Sequence, residues 1–195
     1  DFYLLHAMDK EALEKMRKLD YPEFLEKAVN AGKVRYPGFS FHDDYKTFVE
    51  ILNDYDWKLA QVQMNVLDGG NQATLQGIRD AGKKGVGVVI MEPLRGGALA
   101  HPPKEAAALY EAFPEKRSAV EWAFRYLYDM PEVVTILSGM STMEQVEDNF
   151  CGTLLTATPM LLQGVSQLLL MPGDIAAGSE AAYLTPAEFE AQYFG

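Results

Sequence analysis

The sequence predicts an α/β fold built from βα units around a parallel sheet. Short apolar, β-branched runs alternate with amphipathic helical patterns through the first 150 residues. One run, Val86-Gly-Val-Val-Ile-Met, is apolar almost throughout, as in a strand covered on both faces. Units of this kind, joined by short loops, build either a doubly wound sheet or a (β/α)8 barrel. Five units are too few for closure, because a closed barrel takes about 250 residues.

The elements follow in order. Residues 2–5 form a compact apolar strand, and the helical segment opening at Asp9 sets Leu13 and Met16 three apart on one face. A second helix over 21–31 aligns Phe24, Leu25, Ala28 and Val29, with Gly32 at the position of a C-terminal cap and a strand at 34–39 beyond it. Asp43 and Asp44 place acids at the positive end of the next helix, whose inner face is Phe48, Ile51 and Leu52. A strand at 59–64, a helix at 72–84 and the strand at 86–91 come next. A Pro/Gly loop, Glu92-Pro-Leu-Arg-Gly-Gly, leads to helices at 105–112 and 118–128, with Ser118 as N-cap. The fifth strand is 133–137, and Ser141 or Thr142 caps one more helix.

Beyond residue 150 the composition breaks: residues 151–195 contain no Lys or Arg and four acids. They are read as a divergent tail, separate from a barrel-type segment over 1–150.

Composition narrows the class of partner. Against 17 basic residues stand 28 acidic ones, a net charge of −11, and no run of Lys or Arg exceeds two. Phosphate backbones and anionic lipid surfaces are repelled by such a chain, so neither nucleic acid nor membrane is expected and a small molecule is. The one cysteine, Cys151, cannot close an intrachain disulfide or build a Cys-rich metal site, which fits a reducing compartment, the cytoplasm. No signal peptide is visible, and the apolar stretch 154–171 is too interrupted by polar residues to span a bilayer.

In parallel α/β folds, ligands gather beyond the C-terminal ends of the strands. Residues there are His6, Ser40, the Gln61–Asn65 run, the loop 92–97 and the segment 138–149. His6 is placed either to donate to a polarised carbonyl or to act as a satisfied polar strand end. Ser40, on the same side as His42, either binds an amide or phosphate or caps the following helix. Gln61, Gln63 and Asn65 alternate and so share a face; their amides either hold a ligand carboxamide or satisfy one another as a polar layer. Gly139-Met-Ser before a helix start suits a phosphate, or is an ordinary connecting loop. No metal site is legible.

Taken in order, Asp1-Phe-Tyr-Leu-Leu-His, Gly38-Phe-Ser-Phe-His, Gln61-Val-Gln-Met-Asn, Met91-Glu-Pro-Leu-Arg-Gly-Gly and the 137–149 segment resemble the aldo/keto reductase family. The motifs look closest to its bacterial branch bearing a ferredoxin-like iron–sulfur tail. The resemblance covers residues 1 to about 150. It implies part of a (β/α)8 TIM barrel, strands four to eight, and binding of NADPH or NADH.

By that resemblance His6 matches the catalytic histidine that orients and polarises the substrate carbonyl. The family's catalytic Asp, Tyr and Lys belong to the first three strand–helix units, which this sequence does not include. Ser40 and Gln61 match positions that hold the nicotinamide carboxamide, and Phe41 stands where many relatives carry Asn. Met91 matches the ring-stacking position, Glu92, Leu94 and Gly96 the loop beside the pyrophosphate, and Gly139, Ser141, Gln145, Asp148 and Asn149 the adenosine end. Gln145 falls where an Arg often meets a 2′-phosphate. One cysteine cannot ligate an iron–sulfur cluster, and the tail suggests a truncated or frame-shifted reading of a longer gene.

The implied function is NAD(P)H-dependent reduction of a small-molecule carbonyl to an alcohol, with very low activity for this segment alone. The alternatives are a non-catalytic nucleotide-binding or interaction module, and an open sheet whose two unpaired edges associate.

Overall fold

Five parallel strands form one sheet in the order β1-β2-β3-β4-β5, each beside its neighbour in sequence. They are β1 (Phe2–Met8), β2 (Tyr36–Phe41), β3 (Leu59–Gln63), β4 (Gly87–Met91) and β5 (Val133–Ile136). A doubly wound sheet reverses direction at a switch point, whereas a barrel adds strands in sequence order. The order therefore decides between the two architectures: this is a five-strand segment of a (β/α)8 barrel. The computed structural model describes residues 1–154, and at 151–154 the backbone only. The expectations placed on the Cys151 thiol and on the tail lie outside the described residues.

Among the described residues seven α-helices connect or follow the strands: α1 (Lys10–Lys18), α2 (Tyr21–Asn30), α3 (Tyr45–Asp54), α4 (Thr74–Lys83), α5 (Lys104–Ala112), α6 (Ala119–Tyr128) and α7 (Met143–Leu154). Their starts follow cap chemistry. The side chains of Asp9, Asp44 and Ser118 accept from the amides of Ala12, Thr47 and Glu121, three residues on in each case. The Thr47 amide also holds the Asp44 carboxyl below the usual carboxylate range.

The core lies between the sheet's outer face and the helices. Phe39 and Phe41 of β2 meet Phe48 of α3 at ring distances of 5.8 and 5.1 Å. Trp57 stacks on Tyr21 at 5.8 Å, and its indole N–H donates to the Ile51 carbonyl at 2.8 Å, so the ring is buried with its polar atom satisfied. Ala60, Val62, Val88 and Ile90 complete this face, all buried. The opposite, inner face is less covered: Phe2, Tyr36 and Val134 are 55%, 40% and 47% exposed.

Three local expectations are corrected. β2 begins at Tyr36 rather than at 34, because the amides of Lys33 and Val34 turn back to the Ala28 carbonyl and close α2 instead of joining the sheet. Phe24 does not belong to the buried stripe of α2; it is 51% exposed and lies 6.0 Å from Tyr3, leaving Tyr21 and Leu25 as the buried pair. β1 runs on to Met8, so His6 sits inside the strand, where the register with β2 shifts between Leu5 and Met8.

Candidate functional site

His6 sits at that irregularity. Ala7 adopts a left-handed φ of 50°, uncommon for a residue with a Cβ, at the point where the register with β2 slips. The Ala7 N–H donates to Ser40 Oγ at 2.7 Å, and the same oxygen lies 3.2 Å from His6 Nδ1. Ser40 is 2% exposed and lies within β2, not beyond its end, while His6 is exposed. The helix cap considered for Ser40 is supplied by Asp44. His42 is exposed, and its backbone amide reaches the Met8 carbonyl.

Ser40 is directly opposite Gln61 in the β2–β3 register, and Gln63 is opposite Met91 in β3–β4. Residues two apart share a face, so His6, Ser40, Gln61, Gln63 and Met91 line one end of the inner face across four neighbouring strands. Two of the three amides form a polar layer. Gln63 Nε2 and Asn65 Nδ2 donate to one oxygen, Asp68 Oδ2, at 2.8 and 2.7 Å. The Gln61 amide has no side-chain partner among the described residues and is half-buried. The shared face was legible in the alternation, but the division of labour along it was not.

Asp68 is the residue the sequence reading missed. It gathers Gln63 and Asn65, and the Arg95 Nε stands 3.7 Å away. Asn65 also reaches the Glu92 carbonyl at 3.3 Å, which ties the end of β3 to the loop after β4. The signal available in the sequence was Asn65-x-x-Asp68, an Asn whose side-chain oxygen accepts from amides two and three residues on, Leu67 and Asp68.

The loop after β4 places Glu92, Leu94 and Gly96 in a tight left-handed turn, with φ of 55° at Glu92, 50° at Arg95, 64° at Gly96 and 91° at Gly97. The Arg95 and Gly97 amides bond inside the turn, to the Glu92 and Leu94 carbonyls. Gly96 is left as the glycine whose exposed amide is open to an anion.

The residues assigned to the adenosine end are held differently. Gly139 and Ser141 are exposed. Gln145 Oε1 accepts from the Ser141 and Thr142 amides at 2.6 and 3.2 Å, while Thr142 Oγ1 accepts from the Gln145 amide at 3.3 Å, a reciprocal cap at the start of α7. Asp148 accepts from the Ser118 hydroxyl at 2.6 Å, and Asn149, 7% exposed, donates to Ser138 Oγ at 3.0 Å. The structure thus brings His6, Ser40, Gln61 and Met91 together, and it binds Gln145, Asp148 and Asn149 into contacts within the chain.

The arrangement presents an imidazole, a hydroxyl and a free carboxamide in one row, a set suited to grip a planar amide and to hydrogen-bond a carbonyl. The side chains fit a nicotinamide carboxamide: Gln61 Nε2 and Oε1 carry no bond to a side chain among the described residues, and Gln61 stands opposite the Ser40 hydroxyl in the β2–β3 register. No group of His, Cys, Asp and Glu able to hold a metal ion occurs among the described residues, and no described helix is long and apolar enough to cross a membrane.

Comparison with known proteins agrees with this architecture. The model of the aldo/keto reductase family matches residues 1–157, and the chain belongs to that family. An aldo-keto reductase from Bacillus halodurans, in its holo form, is similar in structure with a TM-score of 0.64 at 24% identity, covering 93% of this chain and 63% of that one. Its apo form gives 0.63 over 64% of its length. A thermostable aldo-keto reductase in complex with the inhibitor epalrestat gives 0.59 at 21% identity, over 86% of this chain and 59% of that one. The chain therefore spans a little under two thirds of the solved relatives it matches. No curated protein sequence matches it.

Proposed function

We propose that this chain carries the dinucleotide-binding side of an NAD(P)H-dependent oxidoreductase that reduces a small-molecule carbonyl to an alcohol. The observation that carries the reading is the row of His6, Ser40 and Gln61 across adjacent strands, with Ser40 Oγ 3.2 Å from His6 Nδ1 and the Gln61 amide without a side-chain partner among the described residues. Bound nicotinamide supplies the hydride in such chemistry.

The residues have separable tasks. Gln61 and Ser40 hold the carboxamide and so fix the ring's rotation, Met91 packs against the ring, and Glu92, Leu94 and Gly96 line the pyrophosphate. Gly139, Ser141, Gln145, Asp148 and Asn149 border the adenosine end. His6 donates a hydrogen bond to the substrate carbonyl. By the family resemblance, the Asp, Tyr and Lys that deliver the proton belong to strand–helix units other than those of residues 1–150, so this segment alone binds cofactor without efficient turnover. One cysteine, Cys151, is too few to ligate an iron–sulfur cluster, and the compartment of this reading is the cytoplasm.

Titration of the chain with NADPH and NADH by fluorescence or calorimetry, beside an assay on a generic aldehyde, tests the reading. Binding with negligible turnover supports it and fits equally a non-catalytic nucleotide module, which the addition of a segment bearing the missing residues separates by restoring turnover. Failure to bind either dinucleotide overturns it.

A further inference from the structure

We propose that Ser40 sets the tautomer of His6, holding the proton on Nε2 and leaving Nδ1 as the acceptor. The bonding capacity of one hydroxyl decides the assignment. A serine hydroxyl has a single hydrogen to give and two lone pairs with which to accept. The Ala7 N–H, whose hydrogen is fixed by the backbone, donates to Ser40 Oγ at 2.7 Å and takes one lone pair. At 2% exposure the side chain is buried, and a buried hydroxyl hydrogen is satisfied by an acceptor inside the protein. Among the described residues the acceptor within reach is His6 Nδ1, at 3.2 Å.

The opposite assignment, with His6 Nδ1–H donating to Ser40, would fill both lone pairs and strand the buried hydroxyl hydrogen. The cost of leaving a buried donor unpaired is enough to bias a neutral imidazole's tautomer ratio by about five- to 150-fold. The backbone is shaped to the same end. Ala7, whose amide makes this bond, takes a left-handed φ of 50° where the β1–β2 register slips.

The consequence for the site rests on the function proposed above. With Nδ1 occupied, the exposed side of His6 presents Nε2–H, a donor suited to a carbonyl oxygen. The second lone pair of Ser40 stays open for a carboxamide N–H, so one hydroxyl would touch both the cofactor's amide and the histidine. Ser40 is in this sense a positioning residue.

The test needs neither cofactor nor turnover, so it stands or falls separately from the proposed function. The chain holds three histidines, His6, His42 and His101. Histidine-selective ¹⁵N labelling with long-range ¹H–¹⁵N correlation, at a pH where the rings are neutral, reads the tautomer of each, and His6→Gln assigns the His6 signals. The expected result is a pyrrole-type Nε2 and a pyridine-type Nδ1 at His6. Ser40→Ala should lose that preference and give averaged shifts, and Ser40→Thr, which restores a hydroxyl, should recover it. A wild-type ring protonated at Nδ1, or averaged between the tautomers, overturns the proposal, as does a folded Ser40→Ala chain with unchanged His6 shifts. Should Ser40→Ala not fold, the wild-type and Ser40→Thr spectra decide.

Discussion

Asn65 and Asp68 bind each other in both directions: Asn65 Nδ2 donates to Asp68 Oδ2 at 2.7 Å, and the Asp68 amide donates to Asn65 Oδ1 at 3.2 Å. The carboxylate oxygen also takes the Gln63 amide. Asn65 and Gln63 are 0% and 2% exposed, so their donors have no ready water if Asp68 is removed. Asp68→Ala is expected to destabilise the chain by about 2–4 kcal/mol, the cost of stranding two buried donors. Asp68→Asn, which keeps one acceptor oxygen, should lose less. Urea unfolding of both variants measures the difference, and equal midpoints would show that water satisfies the amides.

The pattern along β3 explains what a sequence can and cannot convey about this site. Alternation of Gln61, Gln63 and Asn65 placed three amides on one face because strand geometry has period two. Which amide is spent depends on Asp68, a loop residue brought back by a turn, and no period encodes that. Helix starts were legible for the same local reason, since Asp9, Asp44 and Ser118 cap through the amide three residues on. The slip in β1 was not, because it coincides with a left-handed conformation at Ala7, a residue with no preference for it.

A pH dependence follows from the pair of Asp54 and Tyr21. Arg17 donates to Asp54 through two nitrogens, at 3.1 and 2.7 Å, and holds its carboxyl below the usual carboxylate range. Tyr21 donates to Asp54 at 2.7 Å, and burial, with that bond, pushes its phenol up. A lowered carboxyl contributes stability that is full above the unfolded pKa of about 3.9 and is lost as pH falls through the folded value. A raised phenol contributes stability that is full below about 10 and is lost as pH rises beyond it. Stability should plateau between these limits. Asp54→Asn should lower the plateau by about 1–2 kcal/mol and flatten the acid limb, whereas an acid limb unchanged from wild type would assign it to other carboxylates.

Gly38 is required by its neighbour strand. A Cβ there would lie 2.8 Å from the Leu59 carbonyl oxygen and 3.0 Å from the Leu59 Cβ, and neither atom can move without breaking the register that sets Ser40 opposite Gln61. Gly38→Ala gains about 0.5–1 kcal/mol from reduced chain freedom, but crowding costs about 1–3 kcal/mol. A net loss of stability is expected in thermal unfolding. A neutral result would mean that β2 and β3 separate readily.

Gln61 offers the reverse combination. Its side-chain amide carries no bond within the described residues, so Gln61→Ala should leave stability within about 0.5 kcal/mol. If the amide grips a carboxamide, dinucleotide affinity should fall about tenfold, the value of one good hydrogen bond pair. Fluorescence titration and urea unfolding of the same sample separate the two effects. Unchanged affinity would move the carboxamide away from Gln61.

Gln145 is the residue whose structural and ligand roles compete most directly. Its amide oxygen is already engaged by two amides at the start of α7, and Thr142 returns the bond, so the side chain is fixed as a cap. A group committed in this way has little left to discriminate a 2′-phosphate from a 2′-hydroxyl. Gln145→Ala is therefore expected to cost about 1 kcal/mol of stability through the lost cap. The ratio of NADPH to NADH affinity should stay within about twofold of wild type. A shift of that ratio by an order of magnitude, with stability unchanged, would mean that the glutamine leaves its cap when a dinucleotide binds, and that the helix start closes around the adenosine end.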